Sequence, residues 1–172
     1  MVNYPFISEG EKNYKALMGK YISTWSSVEW NLYEIIKSIY ILYKPTENIK
    51  KGQMPLKRKL EILENFFHDL PGLQNERKEV DAIIDFIKKE QNFRHNLIHG
   101  VNAEIMKREP WYTLMWRPEQ SEDYPTSADD VELITEKTIL EHYDEITYLG
   151  FCLIGLNRRI FNRHKEEMMP DI

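Results

Sequence analysis

The sequence predicts an all-α protein: a four-helix bundle of the up-and-down type, with a small β-hairpin inserted between its third and fourth long helices. The prediction rests on three features. Apolar residues recur every three or four positions through four long stretches, which is the repeat of an amphipathic helix. Prolines fall at the ends of these stretches rather than inside them. The helical repeat lapses over about 101–134, where alternating and aromatic residues take its place. A length of 172 residues fits one domain, so residues 1–172 are expected to form a single helical domain carrying that insertion.

The first helix is predicted from about Glu11 to Tyr43, because Leu17, Tyr21, Trp25, Val28, Leu32, Ile35 or Ile36, Ile39 and Leu42 step by three or four. Pro45 ends it, and Thr46 to Gly52 reads as a polar turn. The second starts near Pro55, a residue suited to a first turn, and aligns Leu56, Leu60, Leu63, Phe66 or Phe67, and Leu70 before Pro71-Gly72 stops it. The third begins around Asn75 with Val80, Ile83, Ile84 and Ile87 on its stripe. It runs through Phe93 to Ile98, with Gly100 placed as its C-terminal cap.

Val101 to Lys107 and Trp111 to Arg117 flank the turn signal Glu109-Pro110 and predict the hairpin. Pro118 to Asp130 reads as an exposed acidic loop, and Val131 to Ile134 as a short third strand. Thr135 and Thr138 open a long last helix with Ile139, Tyr143, Ile146, Leu149 or Gly150, Leu153, Leu156 and Ile160 in register. That helix is expected to end near His164, with Arg158, Arg159, Arg163 and Lys165 where cations suit a helix C-terminus.

Composition narrows the function classes. The longest apolar run, Tyr148 to Leu156, is far short of the ~20 residues of a membrane span. The N-terminus lacks the charged-then-apolar layout of a signal peptide. Cys152 is the only cysteine, which excludes a disulfide framework and a cysteine-based zinc site. A cytoplasmic protein without membrane contact is the expectation.

Net charge is −5, but it is unevenly spread. Glu109 to Thr147 holds eleven acidic residues against Arg117 and Lys137, a local balance of −9 that leaves +4 on the remainder. A broad electrostatic clamp for DNA is therefore not expected, while a local anion site remains compatible with the charge.

The chemically informative stretch is Phe93-Arg94-His95-Asn96-Leu97-Ile98-His99-Gly100. A guanidinium offers planar, permanently charged donors to a phosphate, and an imidazole passes protons near neutral pH. Together they suffice for phosphodiester cleavage without a metal. Arg94 and His99 are five residues apart, so on a straight helix they differ by ~140° in rotation and ~7.5 Å along the axis. Their convergence needs arginine's reach, unwinding at Gly100, or a second subunit. His95 and His99, four apart, share a face. They lack the intervening glutamate and third ligand of a zinc site, so neither a metal nor another cofactor is expected.

Arginine, four residues, then histidine at the end of a late helix resembles the HEPN superfamily (higher eukaryotes and prokaryotes nucleotide-binding). Trp25-Ser26-Ser27-Val28-Glu29-Trp30-Asn31-Leu32 is similar to that family's first long helix. The resemblance implies a homodimer whose two motifs face one groove. It also implies metal-independent RNA endonuclease activity leaving 2′,3′-cyclic phosphate and 5′-hydroxyl ends, often in toxins or antiviral defence systems with an antitoxin or other partner. Carried over residue by residue, Arg94 would stabilise the transition state, His99 would move protons, and His95 and Asn96 would position the phosphate.

The sequence departs from the family at His95, where asparagine or aspartate is commoner. It departs again at Val101, where one toxin branch carries a modified tyrosine. The insertion of Trp111 to Ile134 also has no counterpart in the minimal bundle.

Glu29 falls on the buried stripe of the first helix and needs a partner, for which Arg94 or one of the histidines is expected; an edge position in water is the alternative. His95 is either a second proton carrier or a polar interface residue. Trp111, Tyr112 and Trp116 either stack RNA bases or cover the core or a dimer contact. Lys50-Lys51, Lys57-Arg58-Lys59 and Arg158-Arg159 are either solvated helix surface or phosphate contacts. The competing function is a non-catalytic HEPN-like module for dimerisation, nucleotide binding or protein interaction.

Overall fold

The three-to-four-residue apolar repeat that begins near Leu17 yields one continuous helix, α1 (Glu9–Tyr43), of 35 residues. The computed structural model describes residues 9–45, 54–99, 112–116 and 131–168. After α1 come α2 (Leu56–Asp69), a 3₁₀ helix (Pro71–Glu76), α3 (Arg77–His99), strands β1 (Tyr112–Trp116) and β2 (Val131–Thr135), and α4 (Glu136–Met168). The protein is all-α, with one strand pair among the described residues. No helix among those residues is long and apolar enough to cross a membrane.

The helix ends follow from local chemistry. α1 stops where Lys44 takes φ 44°, its N–H still bonded to the Tyr40 carbonyl at 3.2 Å, and Pro45 follows. α2 stops at Asp69, with Leu70 extended and its N–H on the Phe66 carbonyl at 3.0 Å.

Beyond it, Pro71-Gly72 leads not into a loop but into the 3₁₀ helix, which runs directly into α3 at Arg77 rather than Asn75. Proline presets the φ of a tight turn, and Leu73 closes it by donating to the Leu70 carbonyl at 3.0 Å. At Gly72 a Cβ would meet the Tyr43 ring at 2.8 Å, so any other residue would make that ring shift. Thr135 caps α4 as predicted, its Oγ1 accepting the Thr138 N–H at 3.2 Å. α4 then continues past His164 to Met168.

β1 and β2 pair antiparallel, from Tyr112 opposite Thr135 to Trp116 opposite Val131. Among the described residues the aromatic strand thus pairs with the segment read as a short third strand. Val101 to Lys107, the expected partner, lies outside the described residues.

The chain divides into two compact units. The first comprises Met1–Ser23 and Lys89–Glu145, the second Thr24–Lys88 and Ile146–Ile172. The first buries Tyr14, Tyr21, Leu97, Ile134 and Ile139. Within it, the buried Tyr14 hydroxyl donates to the Ile134 carbonyl at 2.9 Å and ties α1 to β2.

Among the described residues the second buries more apolar side chains: Trp25, Val28, Leu32, Ile35, Ile36 and Ile39 of α1, with Leu60, Leu63, Phe66 and Phe67 of α2, Ile84 and Ile87 of α3, and Leu153, Leu156 and Ile160 of α4. Burial of each such side chain contributes about 1.5–3 kcal/mol. Arg163 adds a polar anchor, donating to the Gly72 carbonyl at 2.8 Å and to both carboxylate oxygens of buried Glu76.

Candidate functional site

The Arg94–His99 motif occupies the last turns of α3, which stays α-helical through His99. The unwinding considered as one route to convergence does not occur up to that residue, and Gly100 lies outside the described residues. A regular helix therefore keeps Arg94 and His99 about 140° apart. Exposure agrees: Arg94 and Asn96 are half-buried, whereas His95 and His99 are exposed. The two histidine rings stand 4.7 Å apart, centroid to centroid and tilted by 42°, and form one surface pair.

Glu29 is partly buried, as predicted, but its partners differ from those expected. Its carboxylate accepts the Trp25 indole N–H at 2.8 Å and faces the Lys59 Nζ at 3.5 Å. Lys59 Nζ also donates to the Glu29 carbonyl at 3.1 Å. An ammonium on the adjacent helix α2 thus takes the role expected for Arg94 or a histidine. Lys59 in turn is buried rather than a solvated phosphate contact, because Glu29 compensates its charge. Its neighbours Lys57 and Arg58 are exposed, and Arg58 pairs with Glu61 at 3.2 Å. Arg159 is held by Glu79 at 2.6 Å. Trp111, Gly100, Val101, Lys50 and Lys51 lie outside the described residues.

The first unit assembles a constellation the sequence reading did not single out. Glu90 is 1 % exposed, among the most buried ionisable groups described. Its Oε1 lies 2.7 Å from His142 Nδ1, and its Oε2 accepts the Tyr21 hydroxyl at 3.3 Å. Phe93 stacks face to face on His142, with centroids 3.6 Å apart and planes within 10°. Phe93 also meets Tyr21 edge-on at 5.3 Å.

Burial first, and the Glu90 charge second, push the Tyr21 phenol far above its ordinary range, while the Arg94 charge opposes them. Tyr21 therefore stays a hydrogen-bond donor, and Arg94 belongs to the electrostatic surroundings of this cluster. It lies one turn beyond Glu90, at i+4 on the same face of α3.

The signal for Glu90 was present in the periodicity: it follows Ile87 by three and precedes Leu97 by seven, both fully buried. His142 likewise sits between buried Ile139 and Ile146. A carboxylate and an imidazole on two apolar stripes had nowhere to go but toward each other or toward another polar partner. Glu145 adds a third donor, and one ligand atom from each of Glu90, His142 and Glu145 lies within 4.8 Å of the others. As it stands, the arrangement fixes one imidazole against a buried carboxylate beside a guanidinium. Such a group can move a proton at a site that stabilises negative charge.

Comparison with protein-family models, curated proteins and solved structures finds no match for this chain.

Proposed function

We propose that the protein is a metal-independent RNA endonuclease of the HEPN type that works as a homodimer, in a toxin or phage-defence role. In this reading the four helices form an up-and-down bundle, and β1 with β2 is its inserted hairpin. The observation that carries the proposal is the Arg-x4-His motif on the final turns of a regular α3, with Arg94 half-buried and His99 open to solvent. One helix presents the two groups to different sides, so a second copy brings a guanidinium and an imidazole to one phosphate. Arg94 neutralises charge building on the phosphorus oxygens, and His99 transfers a proton. Asn96 and His95 position the scissile phosphate.

The test is RNA cleavage by purified protein in EDTA. Cleavage is expected to survive chelation, to yield 2′,3′-cyclic phosphate ends, and to fall by about 100-fold or more in folded Arg94→Ala and His99→Ala variants. A strict need for added magnesium would overturn the mechanism.

A second reading, a non-catalytic interaction module, is favoured by α4. That helix buries Ile146, Leu149, Leu153, Leu156 and Ile160, yet exposes Tyr148, Phe151, Ile154 and Phe161 on another side. An apolar second side is the mark of a surface that meets a partner. If Phe151→Ser abolished function in cells while Arg94→Ala and His99→Ala left it intact, this reading would replace the first.

A further inference from the structure

Transesterification of RNA moves two protons, one off the 2′-hydroxyl and one onto the departing 5′-oxygen. The exposed histidines of the motif stand on the side of α3 turned away from half-buried Arg94. We propose that His142 is the second proton carrier, taking the 2′-hydroxyl proton on Nε2 while Glu90 holds its Nδ1–H. The assignment rests on the ribonuclease reading and adds to it a catalytic residue outside the Arg-x4-His motif.

Five observations on this imidazole and its Glu90 partner support it. The 2.7 Å contact of Glu90 Oε1 is made to His142 Nδ1, so Nε2 is the ring nitrogen that Glu90 does not engage, and with the hydrogen on Nδ1 it is the one that accepts a proton. The Phe93 stack fixes the plane of the ring, and Tyr21 fixes the other oxygen of Glu90. The His142 side chain keeps 24 % of its surface open, so the ring is held without being sealed. Arg94 stands one turn from Glu90 on the same face of α3, and its charge acts on Tyr21 of this cluster, so the helix face that carries the Glu90–His142 pair also carries a cation.

In the step, the 2′-O–H bond breaks and its proton passes to His142 Nε2 as the 2′-oxygen bonds to phosphorus. The P–O5′ bond then breaks, and the 5′-oxygen takes a proton from His99 of the second copy. Arg94 balances the charge on the non-bridging oxygens. No oxidant, reductant or water is consumed, and the products are a 2′,3′-cyclic phosphate and a 5′-hydroxyl.

The experiment compares wild type with His142→Ala, His142→Gln, Glu90→Gln and Arg94→Ala on the same RNA in EDTA, with circular dichroism and melting curves for each variant. Both His142 variants are expected to lose about 100-fold or more in kcat with little change in KM. Glu90→Gln is expected to lose about 10-fold. Added imidazole is expected to restore part of the His142→Ala rate without changing its melting curve, which a purely structural ring would not allow. His142→Gln guards against loss of fold, since its amide N–H still reaches for Glu90. If His142→Gln cleaves at the wild-type rate while Arg94→Ala is dead, this assignment falls and the ribonuclease reading stands. If wild type cuts no RNA under chelation, both fall together.

Discussion

Each unit buries a glutamate, and the two are satisfied by different chemistry. In the second, Glu76 is held by Arg163, which also bonds the Gly72 carbonyl. A guanidinium never gives up its charge, so this pair compensates the carboxylate permanently and locks the 3₁₀ helix to α4. In the first, Glu90 has an imidazole and a phenol as partners. Neither is a fixed cation: the phenol stays a neutral donor, and the imidazole is a group that can gain or lose a proton. A buried carboxylate held this way lacks a permanent counter-charge, and it is the arrangement that the proposed proton transfer by His142 would use.

The largest effect should come from cutting the permanent pair. Arg163→Ala leaves the Glu76 carboxylate buried without its cation and is expected to cost about 3 kcal/mol in urea unfolding, at the low end for a buried pair because Arg163 is itself partly exposed. Its effect on RNA cleavage should follow the loss of folded protein and nothing more.

A smaller effect, with a pH signature, belongs to Tyr21→Phe. Removing the phenol donor from Glu90 is expected to cost about 1 kcal/mol at pH 7. Burial raises the folded Tyr21 above its ordinary value near 10. The stability it contributes is therefore complete below pH 10 and is lost as pH rises beyond it, because the unfolded phenol ionises first. Tyr21→Phe should accordingly lose stability less steeply than wild type between pH 10 and pH 12, as urea midpoints across that range would show. An equally steep decline would show that the Tyr21–Glu90 bond does not contribute to stability.

The smallest effect tests whether burial, rather than the guanidinium itself, makes Arg163 matter. Arg159 pairs with Glu79 at 2.6 Å, but both side chains are more than 40 % exposed. Arg159→Ala should change stability by less than about 0.5 kcal/mol, and high salt should mask the change.

The helices were legible because their signals are local. The stripe of α1, the stop at Pro45 and the Thr135 cap of α4 depend on residues within four positions of one another. The rotation between Arg94 and His99 was calculable from helix geometry alone, and the exposure pattern agrees with it. The pairing of Tyr112–Trp116 with Val131–Thr135 was not legible because the two are joined across a long acidic segment, and no short-turn signature announces such a partner.

Which polar groups meet inside the protein depended on the tertiary structure. Glu29 and Glu90 both stood out, or could have, as carboxylates on apolar stripes needing a partner. Nothing in the spacing told Lys59, thirty residues from Glu29, or His142, fifty-two from Glu90, that it was that partner. Helical periodicity encodes which side of a helix turns inward, because that is repeated every turn. The meeting of two particular side chains is a single event fixed by how whole helices pack, and no local repeat records it.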